Sequence, residues 1–476
     1  MTRSFPLRAV ALVAVLVLAA WAAAALVSDG DGGQRPSPVL REEGSEDPFA
    51  YDPGRREEFE QRAAAGLAHV LYAKSPGGAI ATAERVARYR GLIERVAGDE
   101  HDPDVIEGMV LLESAGRPDA MAGGTEGAVG LTQILAETGA NLLDMRVDVA
   151  ASRRLTRQIG RALRRGDGGR AERLRAQRRR VDERYDPPKA LAATVRYLDF
   201  ARGELDDRDD MAVASYHMGV GNLQGVLEAF GADDDTPYAE VFFDSSPLRH
   251  EEAYARLAGL GDDSSTYLWR VRAAQEIMRL HRDDPDELAR LSELHGNKNS
   301  AEEVLHRPDD TEVFAEPEAI ETARDEGELL ALPVDRLRDA GIRIDRRMGE
   351  LAERQEVDAA LYRALRPEAL ALLLYIGQAS RQISGDEPLV LTSTVRDLGY
   401  QNLLTRRNPE ATHGYSLHTT GWAGDVERKY ASRAQALAFQ FMLDRLQALN
   451  IISWVREPAA IHVTVGGDAE ALLDDR

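Results

Sequence analysis

The stretch Val110-Leu-Leu-Glu-Ser-Ala-Gly116 ends a mostly apolar run that begins at Ile106, and a glycine-rich loop follows it. Asp102 and Pro103 precede the run, and they are typical N-cap and first-turn residues. The sequence therefore predicts a buried helix with Glu113 at its end. Burial raises the pKa of a carboxyl group and suits it to donate a proton near neutrality. The alternative is an ordinary surface glutamate beside a loop.

Helical periodicity extends from this segment over almost all of residues 56–282. Within that range, residues 153–184 are dense in arginine and contain a Gly-Asp-Gly-Gly turn, which predicts a helical hairpin. We interpret the hairpin as a solvated charged surface, with glycan binding as the alternative. Residues 283–318 are polar and are predicted to be a linker that contains a short helix.

Two later segments follow Glu113 in order, Gly127-Ala-Val-Gly-Leu-Thr-Gln133 and Ala214-Ser-Tyr-His-Met-Gly-Val-Gly-Asn222. With Glu113-Ser114 they resemble the three-motif signature of the lytic transglycosylases, which have a lysozyme-like fold. The resemblance covers roughly residues 85–282 and implies a mainly α, lysozyme-like domain over residues 56–282. The sequence departs from the family pattern at Ala115, Thr132 and His217.

The resemblance implies that Glu113 cleaves the bond between MurNAc and GlcNAc, acting first as an acid and then as a base. The product would carry an anhydro-MurNAc end, and no water would be consumed. The resemblance also implies that Tyr216 holds the carboxyl group of Glu113 by a hydrogen bond. It implies that three further residues bind substrate or brace the loops of the groove: Ser114, Gln133 and Asn222. A hydrolysing muramidase is the rival, because Asp119 or Glu126 could supply the second carboxylate that hydrolysis uses.

Residues 319–476 are predicted to form a second, α+β domain. Strands are expected at 389–392, 451–455 and 460–465, and a loop at 412–427. Helices are expected at 326–332, 344–355, 361–383 and 432–449. The predicted fold is therefore multidomain, with a mainly α domain followed by an α+β domain.

Histidines are sparse in the chain, yet His413, His418 and His462 all fall in this second domain. His418 and Asp425 are seven residues apart across a glycine-containing turn, and His462 lies in a predicted strand. Two histidines and a carboxylate, with an open fourth position, are what a catalytic zinc ion requires.

The segment Ser416-Leu-His-Thr-Thr-Gly-Trp-Ala-Gly-Asp425 resembles a motif of the zinc D-Ala-D-Ala carboxypeptidases and dipeptidases of the VanY and VanX type. The resemblance covers about residues 355–470 and implies that Zn²⁺ is bound by His418, Asp425 and His462. It also implies that Arg396, with Gln401 near it, binds the carboxylate of a peptide substrate, since arginine pairs bidentately with carboxylates.

Glu457 is the implied general base of this second site. The related enzymes place that glutamate closer to the last histidine, whereas here Glu457-Pro-Ala-Ala-Ile-His462 has two extra residues. Glu457 reaches the site if the strand bulges. Otherwise the domain would bind zinc and peptide without cutting.

The composition of the 476 residues narrows the classes of function. A net charge of −22 argues against a nucleic-acid partner, and the absence of cysteine excludes disulfides and thiolate metal sites. Arg3 and Arg8 precede an apolar run at 9–27, which predicts an N-terminal signal anchor or signal peptide over residues 1–28. Residues 29–55 are predicted to be a flexible linker.

The two resemblances and the apolar N-terminal run together imply an exported enzyme of the bacterial cell envelope. It would act on the periplasmic side, either anchored to the inner membrane or released. Its partners would be peptidoglycan glycan strands and stem peptides. The alternatives are a transglycosylase with a non-catalytic peptide-binding module, and a wall-anchoring protein in which both sites are inactive.

Overall fold

The computed structural model describes residues 47–296, 300–385, 387–407 and 414–473. The described chain is mainly helical, with a small sheet in its C-terminal part. The predicted segment 1–28, most of the linker that follows it, and His413 lie outside the described residues. Within the described ranges, no helix combines the length and the apolar character that crossing a bilayer requires.

The helices up to residue 296 account for most of the described N-terminal half. They are α1 (Arg56–Lys74), α2 (Ala79–Ala87), α3 (Arg90–Ala97), α4 (Pro103–Ser114), α5 (Ala136–Asn141), α6 (Val149–Arg164), α7 (Gly168–Val181), α8 (Pro187–Glu204), α9 (Asp209–Met218), α10 (Val220–Phe230), α11 (Tyr238–Asp244), α12 (Glu251–Gly259), α13 (Tyr267–Asp283) and α14 (Pro285–Gly296).

Short strands alternate with helices after residue 300. The helices are α15 (Ser300–Leu305), α16 (Pro317–Asp325), α17 (Val334–Asp339), α18 (Pro367–Ser384), α19 (Leu398–Thr405) and α20 (Arg433–Ala448). The strands are β1 (Leu330–Ala331), β2 (Ile342–Ile344), β3 (Ala364–Leu365), β4 (Leu389–Ser393), β5 (Ala423–Glu427), β6 (Ile452–Arg456) and β7 (Ala460–Val465).

The chain divides into two compact units whose boundaries are not collinear with the sequence. The helical unit comprises residues 68–238 and 260–296. The mixed unit comprises the described parts of 1–67, 239–259 and 297–476. Segments 47–67 and 239–259 therefore belong to the same unit as the C-terminal sheet, although both fall inside or next to the range predicted for the N-terminal domain.

Helix α4 carries Glu113 and packs against α13. As predicted, the side chain of Asp102 caps α4 by accepting a hydrogen bond from the backbone nitrogen of Asp104, and Pro103 is the first helical residue. The helix ends after Ser114 because Ala115 adopts a left-handed conformation with φ of 54°. The prediction of a largely buried helix with Glu113 in its last turn is confirmed.

Gly108 permits the close approach of α4 to α13. A Cβ atom at this position would lie 2.9 Å from the carbonyl oxygen of Val271 and 2.9 Å from Cγ of Gln275. Any larger residue would push the two helices apart, so this glycine sets the distance between Glu113 and the first turn of α13.

The predicted arginine-rich hairpin is confirmed as α6 and α7, which pack against each other. Leu155, Ile159 and Leu174 form a small apolar core between them. Most of the arginines lie on the outer surface of the hairpin.

The main sheet of the mixed unit has the strand order β2-β4-β5-β7-β6, with β2 and β4 parallel and the other pairs antiparallel. Val463 and Val465 face the apolar space lined by Leu373 of α18 and Phe439 of α20. Because side chains alternate along a strand, the intervening His462 and Thr464 lie on the opposite face of the sheet.

Some predictions for the C-terminal part are wrong. The range 326–332 contains β1 rather than a helix, and 344–355 contains the end of β2 and a short 3-10 turn. The range 412–427 contains β5, whose five residues include Gly424 and Asp425 and so resemble a loop in composition. The strands predicted at 389–392, 451–455 and 460–465 are confirmed as β4, β6 and β7.

Part of the predicted linker is folded into the mixed unit. Helix α15 packs on β6 and β7, and Phe314 is buried in a core cluster with Ile320 and Leu361. His306, next to α15, is also buried. Residues 300–316 are therefore structural components of the unit that contains the predicted metal ligands.

Candidate functional sites

Glu113 lies in the last turn of α4, and its carboxyl group accepts a hydrogen bond of 2.7 Å from the hydroxyl of Tyr267. Burial of the carboxyl group raises the pKa of Glu113 to about 7, although the Tyr267 hydrogen bond and the charge of Arg270 both oppose the rise. The side chain as a whole is still partly exposed. Glu113 can therefore hold a proton near neutrality and release it to a group that enters from solvent.

Tyr267 is the hydrogen-bond donor that sequence reasoning missed. The resemblance assigns this role to Tyr216, whereas the hydroxyl of Tyr216 donates to the carbonyl oxygen of Thr132 at 2.8 Å. The rings of the two tyrosines stack with their centroids 6.0 Å apart. Tyr216 thus braces the ring of Tyr267 and the loop at Thr132, while Tyr267 contacts Glu113.

A buried ion pair between Asp182 and Arg184 holds the loop that carries Gln133. Asp182 accepts two hydrogen bonds of 2.9 Å from Arg184, and both side chains are fully buried. Arg184 also donates to the carbonyl oxygens of three loop residues, Thr125, Gly127 and Ile134. These bonds satisfy the buried guanidinium group and hold the loop in one conformation.

Gln133 itself has a positive φ of 50°, and its side-chain amide donates to the carbonyl oxygen of Gly130 at 2.8 Å. Thr132, which stands where the family usually has methionine, is buried and accepts a hydrogen bond of 2.9 Å from the hydroxyl of Thr194. This departure from the family pattern is accommodated by a polar contact in the interior.

The other residues implied by the resemblance lie at helix ends. The hydroxyl of Ser114 is buried and donates to the carbonyl oxygen of Val110, so Ser114 braces α4 and offers little surface to a ligand. Asn222 is exposed in the first turn of α10 and donates to the carbonyl oxygen of Met218. His217 is exposed, stacks on Tyr267 and lies 2.7 Å from the hydroxyl of Ser264.

Asp119 and Glu126, the candidate second carboxylates, are both held by the arginine-rich hairpin. Asp119 pairs with Arg175 at 2.6 Å and also with Arg178. Glu126 pairs with Arg153. The oxygen atoms of both carboxylates are therefore engaged by the hairpin, closely at Asp119 and in an exposed pair at Glu126.

In the mixed unit, the side chains of His418, Asp425 and His462 converge. Oδ1 of Asp425 lies 3.1 Å from Nε2 of His418 and 2.8 Å from Nδ1 of His462. The register of β5 and β7 places Asp425 directly opposite His462. His418 lies in the turn that precedes β5, and its Nδ1 lies 2.7 Å from the carbonyl oxygen of Thr394. Because a carbonyl can only accept, Nδ1 carries the hydrogen and Nε2 is left to face Asp425.

The charges in this cluster favour a bound cation. Burial would raise the pKa of Asp425, but His418 and His462 hold it well below its usual range. Burial and the nearby charge of Arg396 lower the pKa of His418 to about 4. Burial would also lower the pKa of His462, but the carboxylates of Glu302 and Asp425 raise it to about 10. A cation among these three groups would replace the proton that His462 shares with Asp425.

The three ligand atoms all lie within 4.8 Å of one another and are buried, so the group could hold a metal ion. One carboxylate oxygen and two imidazole nitrogens form a donor set that suits zinc and several other divalent transition metals. His418 has the outer hydrogen bond, from Nδ1 to a carbonyl oxygen, that typically orients a metal-binding histidine.

Arg396 and Gln401 lie beside this group and are both buried. Arg396 donates to Oδ2 of Asp425 at 3.1 Å, to Oε1 of Gln401 at 3.0 Å and to the hydroxyl of Ser393. The guanidinium group therefore orients the carboxylate of Asp425. The bidentate pairing with a peptide carboxylate that the sequence implies would require some of these bonds to be exchanged.

Glu457 lies in the turn that joins β6 to β7, where its backbone nitrogen donates to the carbonyl oxygen of Ala460. The pairing of Val455 with His462 is followed by that of Arg456 with Ile461, with no bulge. The bulge that would bring Glu457 to the site is therefore absent, and Glu457 follows the last paired residue of β6, opposite Ala460 and two residues from the pair that contains His462.

Glu302 is the acidic residue at this site that sequence reasoning missed. Oε1 of Glu302 lies 3.1 Å from Nε2 of His462, and the side chain is 3% exposed. It belongs to α15, within the range predicted to be a linker. A short amphipathic pattern, with Ala301, Val304 and Leu305 beside the acidic pair, is the only local signal of its burial.

No model of a known protein family matches the chain, and a search of curated proteins finds no relative.

Proposed function

We propose that the chain is a bifunctional peptidoglycan-remodelling enzyme of the bacterial envelope. In the helical unit, Glu113 would cleave the glycan as a lytic transglycosylase does. The observation that carries this proposal is the carboxyl group of Glu113, whose pKa is raised to about 7 in a partly exposed helix end and which Tyr267 holds at 2.7 Å. The resemblance of the three motifs supports the choice of substrate.

The reaction needs one carboxyl group. Protonated Glu113 gives its proton to the glycosidic oxygen between MurNAc and GlcNAc, and the bond from the MurNAc anomeric carbon to that oxygen breaks. The resulting carboxylate then takes the proton of the MurNAc primary hydroxyl, whose oxygen bonds to the anomeric carbon and closes the anhydro ring. Glu113 regains its proton, so atoms and charge balance without water.

The pairing of Asp119 with two arginines favours this reaction over hydrolysis through Asp119, and Glu126 is left to the test below. Hydrolysis by a pair of carboxyl groups requires a second carboxylate that is free to act as base or nucleophile. A matched set of variants separates the two mechanisms on purified peptidoglycan. Glu113→Gln should reduce glycan cleavage about 10²–10⁴-fold, the typical contribution of a general acid–base. Asp119→Asn and Glu126→Gln should still release products, and complete loss in either one would favour hydrolysis.

We propose a second activity for the mixed unit, a metal-dependent carboxypeptidase that trims stem peptides, with zinc as the metal. His418, Asp425 and His462 would hold the ion. A bound zinc ion would supply Lewis acidity at the scissile peptide bond. Arg396 would orient Asp425. Glu457 would take a proton from the attacking water, whose oxygen bonds to the peptide carbonyl carbon, and would give that proton to the leaving amine, so that one water is consumed for each bond broken.

A peptide-binding module without catalysis is the alternative, and it is favoured by the position of Glu457 in a hairpin turn two residue pairs from His462. Release of D-alanine or other stem-peptide residues from purified peptidoglycan distinguishes a carboxypeptidase from a module that only binds peptide. His418→Ala should abolish release. If Glu457→Gln also abolishes it while zinc still binds, Glu457 is the base. If the wild-type protein binds zinc and peptide but releases nothing, the carboxypeptidase proposal fails and the binding module remains.

The presence of both activities in one chain would give either site a high effective concentration on the same polymer. The apolar run at 9–27 would keep the enzyme at the inner membrane or direct its export.

A further inference from the structure

Glu302 is a buried carboxylate that contacts His462. Its Oε1 lies 3.1 Å from Nε2 of His462, the distance of an ion pair, and makes no hydrogen bond of good geometry within the described ranges. A buried carboxylate is costly unless a charged or hydrogen-bonding group compensates it. The imidazole of His462 is the group that compensates Glu302, so the two side chains depend on each other.

The two nitrogens of His462 face different carboxylates. Nδ1 faces Asp425 at 2.8 Å, on the side where His418 also approaches, and Nε2 faces Glu302 at 3.1 Å, with the hydroxyl of Thr464 more distant at 3.4 Å. The ligand atoms that lie within 4.8 Å of one another come from His418, Asp425 and His462, and Glu302 is not among them. Glu302 therefore contacts His462 at Nε2, the ring nitrogen that does not face Asp425.

We propose that Glu302 is a positioning residue that makes His462 a metal ligand through Nδ1. The inference rests on the proposed metal-binding function of the same group. By accepting the Nε2 hydrogen, the carboxylate fixes the tautomer and the ring orientation of His462 and increases the basicity of Nδ1. Outer carboxylates of this kind commonly raise the metal affinity of a site, and their loss typically lowers it about 10–100-fold.

Contacts of His306, four residues after Glu302, hold the end of α15 in place. Nε2 of His306 lies 2.5 Å from the carbonyl oxygen of Val465, and the ring of His306 stacks on Trp422 at 4.4 Å. The hydroxyl of Tyr415 donates to the carbonyl oxygen of His306 at 3.2 Å. The end of α15 is thus attached to β7, the strand that carries His462, so the segment that sequence reasoning treats as a linker completes the metal site.

Zinc affinity of the full-length protein tests the proposal by competition with a chromophoric chelator. Glu302→Ala should weaken zinc binding about 10–100-fold, and Glu302→Gln should recover part of the loss, because its carbonyl oxygen can still accept from Nε2. Glu303→Gln is the matched control on the same helix and should keep the wild-type affinity. Thermal unfolding of each metal-free variant shows whether it is folded.

Substitution of the zinc by Co²⁺ separates positioning from ligation. A positioning role predicts that Glu302→Gln leaves the intensity of the visible cobalt bands unchanged, whereas a ligand role predicts a changed spectrum and would overturn the proposal. Wild-type affinity in folded Glu302→Ala would also overturn it. If the wild-type protein binds neither Zn²⁺ nor Co²⁺, the proposed metal function itself fails, and this result is distinct from an effect of Glu302 alone.

Discussion

Glu113 and Tyr267 are adjacent only in the folded chain, where the tyrosine hydroxyl lies 2.7 Å from the carboxyl group. The Glu113 carboxyl group must carry a proton to start the proposed reaction. Because its pKa is raised to about 7, cleavage should proceed fully below that pH and decline as the pH rises through it. This limb of the pH profile reports Glu113 directly.

Replacing Tyr267 by Phe should move that limb. The hydroxyl of Tyr267 stabilises the ionised carboxylate, so its removal raises the pKa of Glu113 further and shifts the decline in activity to higher pH. Tyr216→Phe is the control, because the Tyr216 hydroxyl bonds Thr132 instead. Profiles of muropeptide release against pH measure both variants. A shift in Tyr216→Phe with none in Tyr267→Phe would contradict the assignment.

At the residue scale, the sequence indicates those functional groups that belong to local motifs. Glu113, His418 and Asp425 can be predicted because each lies at a helix end or beside a short glycine-containing turn. Tyr267 and Glu302 have no such motif, since each meets its partner only through packing between elements that are more than a hundred residues apart in sequence. Tertiary contacts of single residues at such separations cannot be inferred from one sequence.

At the scale of elements, the distance between α4 and α13 controls the candidate glycan site. Alanine normally stabilises a helix relative to glycine by about 1 kcal/mol. Gly108→Ala should do the opposite, because its Cβ would lie 2.9 Å from the carbonyl oxygen of Val271. We expect a loss of stability of about 1–3 kcal/mol, typical of overpacking, together with reduced glycan cleavage.

Gly203→Ala in α8 is the matched control, since no atom lies within 4 Å of the position that its Cβ would take. It should be neutral or slightly stabilising. Urea unfolding measures both changes. Equal effects of the two substitutions would show that the packing of α4 on α13 is not tight at Gly108.

The arginine-rich hairpin has a structural role that its composition does not reveal. Arg178 is 4% exposed, pairs with Asp119 and stacks 3.6 Å from the ring centroid of Tyr185. Asp119→Asn would remove the carboxylate that pairs directly with this buried guanidinium and should destabilise the protein by about 1–3 kcal/mol. Glu126→Gln, which affects an exposed pair with Arg153, should have little measurable effect.

Denaturant unfolding of these two variants checks the comparison. A hairpin that is only a solvated surface would show no difference between them. The sequence could predict the hairpin itself from its periodicity and its glycine turn. It could not predict which arginines are buried, because the many arginines of α6 and α7 lie in similar local patterns.

At the scale of the whole molecule, the two proposed activities use chemically independent groups. Removal of metal with a chelator should abolish release of stem-peptide residues and leave glycan cleavage unchanged. Added Zn²⁺ should restore the peptide activity. Parallel assays of both products on the same digest measure this, and loss of glycan cleavage on chelation would contradict an acid–base mechanism that depends on Glu113 alone.

The broad architecture, a mainly helical chain with a small C-terminal sheet, follows from periodicity alone. The division into units does not, because segments 47–67 and 239–259 join the C-terminal unit through contacts that leave no trace in local composition. The same limit applies to residues 300–316, whose polar composition suggests a linker although Glu302 and Phe314 are buried.

Cleavage of the glycan by Glu113 without water has a distinct product. Mass spectrometry of the saccharide ends released from purified peptidoglycan by the full-length protein tests it most directly. The account predicts anhydro-MurNAc ends, lighter by one water than hydrolysed ends, which disappear in Glu113→Gln. Reducing MurNAc ends from the wild-type protein, or anhydro ends that persist in Glu113→Gln, would contradict it.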